Sequence, residues 1–298
     1  MFKRLALIDG KNIFYRGFYA MPWLKTADGQ PAGGVYGFSS FALELLDKLQ
    51  PDYVVVAWDK PKTNVRWRQA IYPPYKTRRK PAPPEFYAQV PLLREFLSAL
   101  QWPLYELDDY EATDIMATLA RQAETVGAQS LLLSVELDML QLVDPHTKLF
   151  TIKRGFMDIE QYDIAAFEQK YGISIHQLID FRALVGDSGR TIPGVPGIGA
   201  KTAATLLQKY GSLEEIFTHL EAIKPAWQTK LKAGHELARI SRTLATFRTD
   251  APIKLNVKAD MTKALSVERL QGELERLGFY VLLERLQNQA NASLPKRA

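Results

Sequence analysis

The chain of 298 residues contains no cysteine. That excludes disulfides, thiolate-bound zinc, iron–sulfur clusters and thiol nucleophiles. Histidine is scarce. His146, His176, His219 and His235 show no metal-ligand spacing, and none stands beside a candidate serine nucleophile. Surface or satisfied core positions account for all four. No apolar run approaches the roughly 18 residues of a membrane span. The apolar start ends at Asp9, too soon for a secretory signal. A soluble cytoplasmic chain with no membrane partner is expected. Internal repeats and low-complexity tracts are also missing.

Charge is plentiful but uneven. Lys and Arg number 38 against 33 Asp and Glu, a net of +5. A mild excess of this kind points only weakly to an anionic partner. Between Lys60 and Lys80, however, stand Lys60, Lys62, Arg66, Arg68, Lys76, Arg78, Arg79 and Lys80 without one acid. These 8 charges exceed the net of 5, so the rest of the chain sums to −3.

Short apolar runs alternate with helical periods. Leu5–Ile8 and the β-branched Tyr53–Trp58 read as strands, Leu131–Leu133 as a third, and Leu149–Ile152 as an edge strand. Gly29–Gly37 reads as a glycine-rich turn before a helix over Phe38–Leu49. Ile115, Met116, Leu119 and Ala120 have helical spacing within Glu111–Ala123. Strands interleaved with helices predict an α/β fold with a parallel sheet. Past about Gly186 the pattern becomes helical, with segments over Lys201–Lys209, Leu213–His219, Pro225–Lys232 and His235–Leu244. The expected division is an α/β unit over 1–185, a helical unit over 186–287 and a polar tail over 288–298.

The acids fall where an open parallel sheet gathers ligands, beyond the carboxyl ends of its strands. Asp9 closes the first strand and Asp59 the second, while Glu136 and Asp138 follow the third. Glu111 and Asp114, three apart, share a face at a helix start. Each alone is explained as a cap or turn former. Four sites converging on one rim point instead to cation binding, because clustered carboxylates repel unless protonated or metal-bound. Oxygen-only ligation suits Mg²⁺ or Mn²⁺, and two such ions about 4 Å apart clamp a phosphodiester for in-line attack.

The basic segment agrees with that chemistry. Its cations are interleaved with Trp67, Tyr72 and Tyr75, and cations neutralise phosphates while aromatic faces stack on unpaired bases. A solvated basic loop is the plain alternative. The turn Gly194-Val195-Pro196-Gly197-Ile198-Gly199 leads into Lys201. It fails as a Walker A loop, since Ala200 precedes the lysine and no strand leads in. A helix–hairpin–helix phosphate clamp reads better, with a tight interhelical turn as its structural counterpart.

Together these motifs resemble a known family. Leu7-Ile8-Asp9-Gly10 with Tyr15-Arg16, Ala57-Trp58-Asp59, Tyr75-Lys76 with Arg79, Glu111-Ala112-Thr113-Asp114, Asp138–Val143 and Gly186-Asp187-Ser188 through Gly199 occur in family order. The chain resembles the 5′-nuclease (flap endonuclease, 5′→3′ exonuclease) domain of bacterial DNA polymerase I over about residues 4–287. No polymerase part follows, so a stand-alone relative or an excised domain is expected. The resemblance implies a PIN-like α/β nuclease core with a mostly parallel sheet, a helical arch near residues 60–90 and a helix–three-turn–helix clamp that takes K⁺. It implies cleavage of flap or branched DNA by a monomer, with a DNA polymerase as a partner. Asp9, Asp59, Glu111 and Asp114 would surround a first Mg²⁺ or Mn²⁺, with Asp9 and Asp59 central to catalysis. Glu136, Asp138 and Asp187 would serve a second ion. Arg16, Tyr75, Lys76 and Arg79 would meet DNA, Lys76 near the scissile phosphate, and Gly197, Gly199 and Lys201 would hold the duplex.

Three departures from the family pattern bear on this. Thr113 replaces the first of two paired aspartates, Glu136 replaces an aspartate, and Arg190 stands where the pattern Gly-Asp-Ser-Ser-Asp-Asn has its second aspartate. A guanidinium can take a cation's place and pair with Asp187 or Glu136. A weakened or missing second ion is therefore expected. A DNA-junction binder that does not cut is the competing reading.

Overall fold

The computed structural model describes residues 3–152, 158–255 and 267–292. Among the described residues six strands form one sheet: β1 (Arg4–Asp9), β2 (Tyr53–Ala57), β3 (Leu104–Tyr105), β4 (Gln129–Leu133), β5 (Thr147–Ile152) and β6 (Ile159–Gln161). Their spatial order is β3-β2-β1-β4-β5-β6, and only the β5–β6 pair is antiparallel. The central strands are continuous apolar runs because both faces are covered. Alternate residues divide between two cores: Leu5, Leu7, Val55 and Leu132 on one side, Ala6, Ile8, Val54, Val56, Leu131 and Leu133 on the other.

The expected parallel sheet is present, with two differences. Leu149–Ile152 is not an edge, because β5 lies between β4 and the antiparallel β6. The strand β3 is two residues long behind Pro103, too short to leave a periodic signal.

Helices fill the layers: α1 (Gly10–Ala20), α2 (Gly33–Leu49), α3 (Arg66–Ile71), α4 (Pro84–Ala88), α5 (Val90–Leu100), α6 (Ala112–Thr125) and α7 (Ile164–Tyr171). Half of the expected Gly29–Gly37 turn is helix, since α2 begins at Gly33. Its glycines let α1 lie close: a Cβ on Gly34 would stand 2.6 Å from the Phe14 ring. The helical unit comprises α8 (Leu178–Val185), α9 (Ala200–Tyr210), α10 (Leu213–Thr218) and α11 (Pro225–Ala245). The interruption expected near residue 233 is absent. Gly234 sits inside α11 because the helix packs on Val195, whose Cγ1 would lie 2.7 Å from a Cβ there.

The two units share a core. Leu5, Leu7 and Val55 belong to the same apolar cluster as Phe181, Leu206 and Leu231. Thus α8 packs with the helical unit although it precedes residue 186. The last helices, α12 (Val267–Leu277) and α13 (Tyr280–Ala292), do not extend that unit. Their buried stripe Leu270, Leu274 and Leu277 joins the core of Phe38, Phe41 and Phe96, on the sheet side. Residues 288–292, expected to open the tail, continue α13, and 293–298 lie outside the described residues.

Candidate active site and nucleic-acid interface

The carboxyl edge of the sheet collects most of the acids. Asp9 ends β1 and caps α1, its Oδ1 accepting from the Asn12 N–H at 3.3 Å, while its Oδ2 accepts from Ser134 Oγ at 3.0 Å. Asp59, two residues past β2, accepts from the Ala112 N–H at 2.9 Å, where α6 starts. Glu111 and Asp114 form a capping box on that helix: the Glu111 N–H donates to Asp114 Oδ2 at 3.0 Å. Capping and site-building therefore coincide in the same side chains.

Four cations divide these acids. Arg68, on α3, is buried, and its guanidinium spends all its N–H groups. Nη1 donates to Glu111 Oε2 at 2.8 Å and Asp114 Oδ2 at 2.7 Å, and Nη2 to Asp114 Oδ1 at 2.8 Å and Thr246 O at 3.3 Å. Nε donates to Leu244 O at 3.1 Å. The Tyr75 hydroxyl donates to Glu111 Oε2 at 2.8 Å, and the Lys76 ammonium pairs with Glu111 Oε1. Arg190 reaches the other group: Nη2 pairs with Glu136, Nη1 lies 3.0 Å from Asp138 Oδ2, and Nε lies 3.9 Å from Asp187 Oδ2. Arg182 Nε takes the remaining Asp138 oxygen at 2.8 Å. Asp9 and Asp59 form no ion pair among the described residues.

A cavity of about 920 Å³ opens over this edge. Asp9, Asp59, Glu111 and Glu136 line it together with Lys11, Lys62, Lys76, Arg79 and Lys80, with Thr113 in its wall. Burial, with the charges of Glu136 and Asp59, pushes Asp9 up to about 7. Burial alone would raise Asp59 too, but Lys76, Lys11 and the Ala112 N–H hold it below the usual carboxylate range. Glu136 is likewise held low by Arg190 and Lys76 against the pull of burial. Burial pulls Lys76 down to about 7 despite Asp59 nearby, and lifts Tyr75 to about 12. Arg190 keeps its proton more tightly than a free guanidinium, because Glu136 and Asp138 outweigh its burial.

The expected interface residues are distributed differently from their order in sequence. Arg79 lines the cavity, its Nε donating to Gly189 O at 3.3 Å. Tyr75 is buried, so its ring is not presented to a base, and Trp67 lies under the guanidinium of Arg68 at 4.3 Å. Of the eight cations read as one DNA-facing segment, Arg68 turns inward because two buried carboxylates require its charge. Lys60 pairs with Asp108 at 2.8 Å. Arg16 is outside the cavity wall, its Nη1 donating to Ile152 O at 2.6 Å. In the interhelical turn Gly194 has φ +65°, and a Cβ there would stand 2.5 Å from Gly186 N, which explains the glycine. Gly199 caps α9 with open space around it, Lys201 is exposed one residue into the helix, and Lys230 Nζ donates to Gly197 O at 3.1 Å.

Residues that the sequence did not single out include Ser134, Asn64, Lys11 and Arg182. Ser134 is the most legible of them: a polar residue directly after three leucines, it bridges Asp9 and the Glu136 N–H, which donates to its Oγ at 3.1 Å.

Of the expected carboxylates, Glu111, Asp114, Glu136, Asp138 and Asp187 are divided among Arg68, Lys76, Arg182 and Arg190. Among the described residues no three acids or histidines are grouped to hold a metal. Glu111 and Asp114 have their oxygens filled by Arg68, Tyr75, Lys76 and backbone N–H groups. Among the described residues Asp9 and Asp59 are the cavity-lining carboxylates without an ion pair. That set suits one Mg²⁺-like ion, which is bound by one or two carboxylates and completes its sphere with water and substrate phosphate.

An acid-edged parallel sheet with cations around the cavity is joined to a helical unit through a glycine turn. The model of the 5′-3′ exonuclease N-terminal resolvase-like domain matches residues 4–172, and that of the 5′-3′ exonuclease C-terminal SAM fold matches residues 173–268. The chain belongs to the 5′-3′ exonuclease family. It is 38% identical to the DNA polymerase I of Bacillus caldotenax over 97% of its own length, and spans 33% of that relative. Among solved structures, T5 5′-exonuclease with divalent zinc bound shares 21% identity and a TM-score of 0.67 over 95% of this chain and 100% of that one. A bacteriophage T5 flap endonuclease complexed with DNA and metal ions gives 19% and 0.60 over 97% and 98%. These two likenesses concern the fold.

Proposed function

We propose that the chain is a structure-specific 5′-nuclease that hydrolyses DNA phosphodiesters at flaps and branches, with Asp9 and Asp59 holding a single Mg²⁺ or Mn²⁺. The observation that carries this is the cavity that those two carboxylates, without an ion pair among the described residues, line together with Lys11, Lys62, Lys76, Arg79 and Lys80. When bound, such an ion polarises a phosphoryl oxygen and makes a bound water nucleophilic near neutral pH. The chain's own residues do the rest. Arg79 and Lys80 receive backbone phosphates at the cavity wall, and Lys76 stands between Glu111 and Asp59 at the phosphate's approach. Ser134 and Asn12 orient Asp9. Gly197, Gly199 and Lys201 offer backbone N–H groups and a cation to the duplex, and carbonyls of that turn would hold K⁺ in place of the Lys230 ammonium that donates to Gly197 O. Arg16 meets DNA only if it leaves the Ile152 carbonyl.

The working unit in this reading is a monomer in the cytoplasm, alongside a DNA polymerase, as the fused relatives suggest. We place its functional division near residue 185, where the sheet unit hands the substrate to the helical unit. The T5 flap endonuclease, solved with DNA and metal ions, supports a DNA substrate by analogy of fold.

The second reading, a junction binder that does not cut, is favoured by Arg190 among Glu136, Asp138 and Asp187. A 5′-flap duplex incubated in Mg²⁺ or Mn²⁺ separates the two. Cutting that disappears in Asp59→Asn is expected. Tight binding without cutting in either metal establishes the second reading in place of the first.

A further inference from the structure

Glu136, Asp138 and Asp187 stand where the family's second ion would be served, yet each already faces a guanidinium. We propose that Arg190 is the resident second cation of this site, so that the chain takes up one divalent ion per molecule and not two. The inference deepens the nuclease reading and rests on it for the location of the single ion.

The geometry is that of an occupied site. Arg190 is nearly buried, with 7% of its side chain exposed, and both of its Nη atoms point at carboxylates. Asp138 has no oxygen left to give, since Oδ2 meets Arg190 at 3.0 Å and Oδ1 meets Arg182 at 2.8 Å. Three carboxylates against two guanidiniums leave one negative charge, where an unaltered set would offer four carboxylates against Arg182 alone. A divalent ion would have to expel a group that cannot discharge itself by losing a proton.

The backbone holds that group in place. Asp187 and Ile192 bridge the loop through paired N–H···O bonds of 3.0 and 2.8 Å, and Asp187 Oδ1 accepts from the Gly189 N–H at 2.8 Å. The Arg190 carbonyl accepts from the Lys76 N–H at 2.9 Å, tying the loop to the basic segment. Expelling the side chain would strand a buried charge, or else drag the loop and the segment with it.

The test counts ions on the full chain. Mn²⁺ is titrated into the wild type, Arg190→Asp and Arg190→Gln, and free Mn²⁺ is read by electron paramagnetic resonance, with circular dichroism confirming that each variant is folded. One Mn²⁺ per wild-type chain, lost in Asp59→Asn, and two per folded chain in Arg190→Asp are expected. Arg190→Gln, which frees the same acids without adding one, takes the second ion more weakly. A wild-type count of two, or of none, overturns the assignment. So does a count of one in both folded Arg190 variants. A count of one together with no cleavage of flap DNA upholds the resident cation and removes the nuclease reading, so the two failures are distinguishable.

Discussion

Arg68 makes Glu111 and Asp114 compatible with their burial. Its five N–H groups satisfy two carboxylates and two backbone carbonyls, and it is 1% exposed. Removing one partner of a buried ion group costs about 3–5 kcal/mol, because the remaining charge is left uncompensated. Arg68→Met is therefore expected to lower stability by about that amount in urea unfolding, with the midpoint falling at unchanged slope. A loss under about 1 kcal/mol would show that the two acids relax into water instead. Arg68→Lys rescues little, since an ammonium cannot reproduce the planar fork. Nothing local in the sequence reveals this role. Arg68 looks like its seven neighbouring cations, and its partners lie 43 and 46 residues away. Arg190 was legible for the opposite reason: it breaks a motif at a position where an acid is expected.

At the scale of elements, the short β3 and β6 left no signal, but β1, β2, β4 and β5 announced themselves, because a sheet covered on both faces writes continuous apolar runs. Position within the sheet did not. Nothing in Leu149–Ile152 distinguishes an edge from a strand flanked by a three-residue neighbour. The amphipathic stripe of α12 likewise gives a helix without saying which unit it covers. Gly234 is informative in another way. Glycine inside a helix costs about 1 kcal/mol relative to alanine, yet α11 runs through it, and its service is to let α11 approach the interhelical turn. Gly234→Ala sets that propensity gain against a Cβ 2.7 Å from Val195 Cγ1. Overpacking of this kind costs about 1–3 kcal/mol, so the substitution is expected to destabilise on balance and to weaken duplex binding by displacing the turn. Adding Val195→Ala should recover part of both losses, which a double-mutant cycle measures as coupling. A higher melting temperature for Gly234→Ala alone would refute the close approach.

For the whole molecule the net charge of +5 hides an arrangement in which cations serve two separate purposes. Arg68, Arg182 and Arg190 are consumed inside, each holding carboxylates. Lys11, Lys62, Arg79 and Lys80 face the cavity, and Lys201 is exposed beside the turn. Only the second group can release counterions from DNA. Each phosphate neutralised contributes about 0.9 to the slope of log affinity against log salt on duplex, and about 0.7 on single strands. Arg79→Gln and Lys201→Gln should each flatten the slope by about that much, the first toward the single-strand value and the second toward the duplex value. Arg68→Gln, where the protein stays folded, should leave the slope unchanged even though it removes the same formal charge. Fluorescence anisotropy on a 5′-flap duplex in chelator, across a salt series, reads all three without cleavage. Equal slope changes at Arg68 and Arg79 would mean that Arg68 reaches DNA and that the division of cations into interior and surface is wrong.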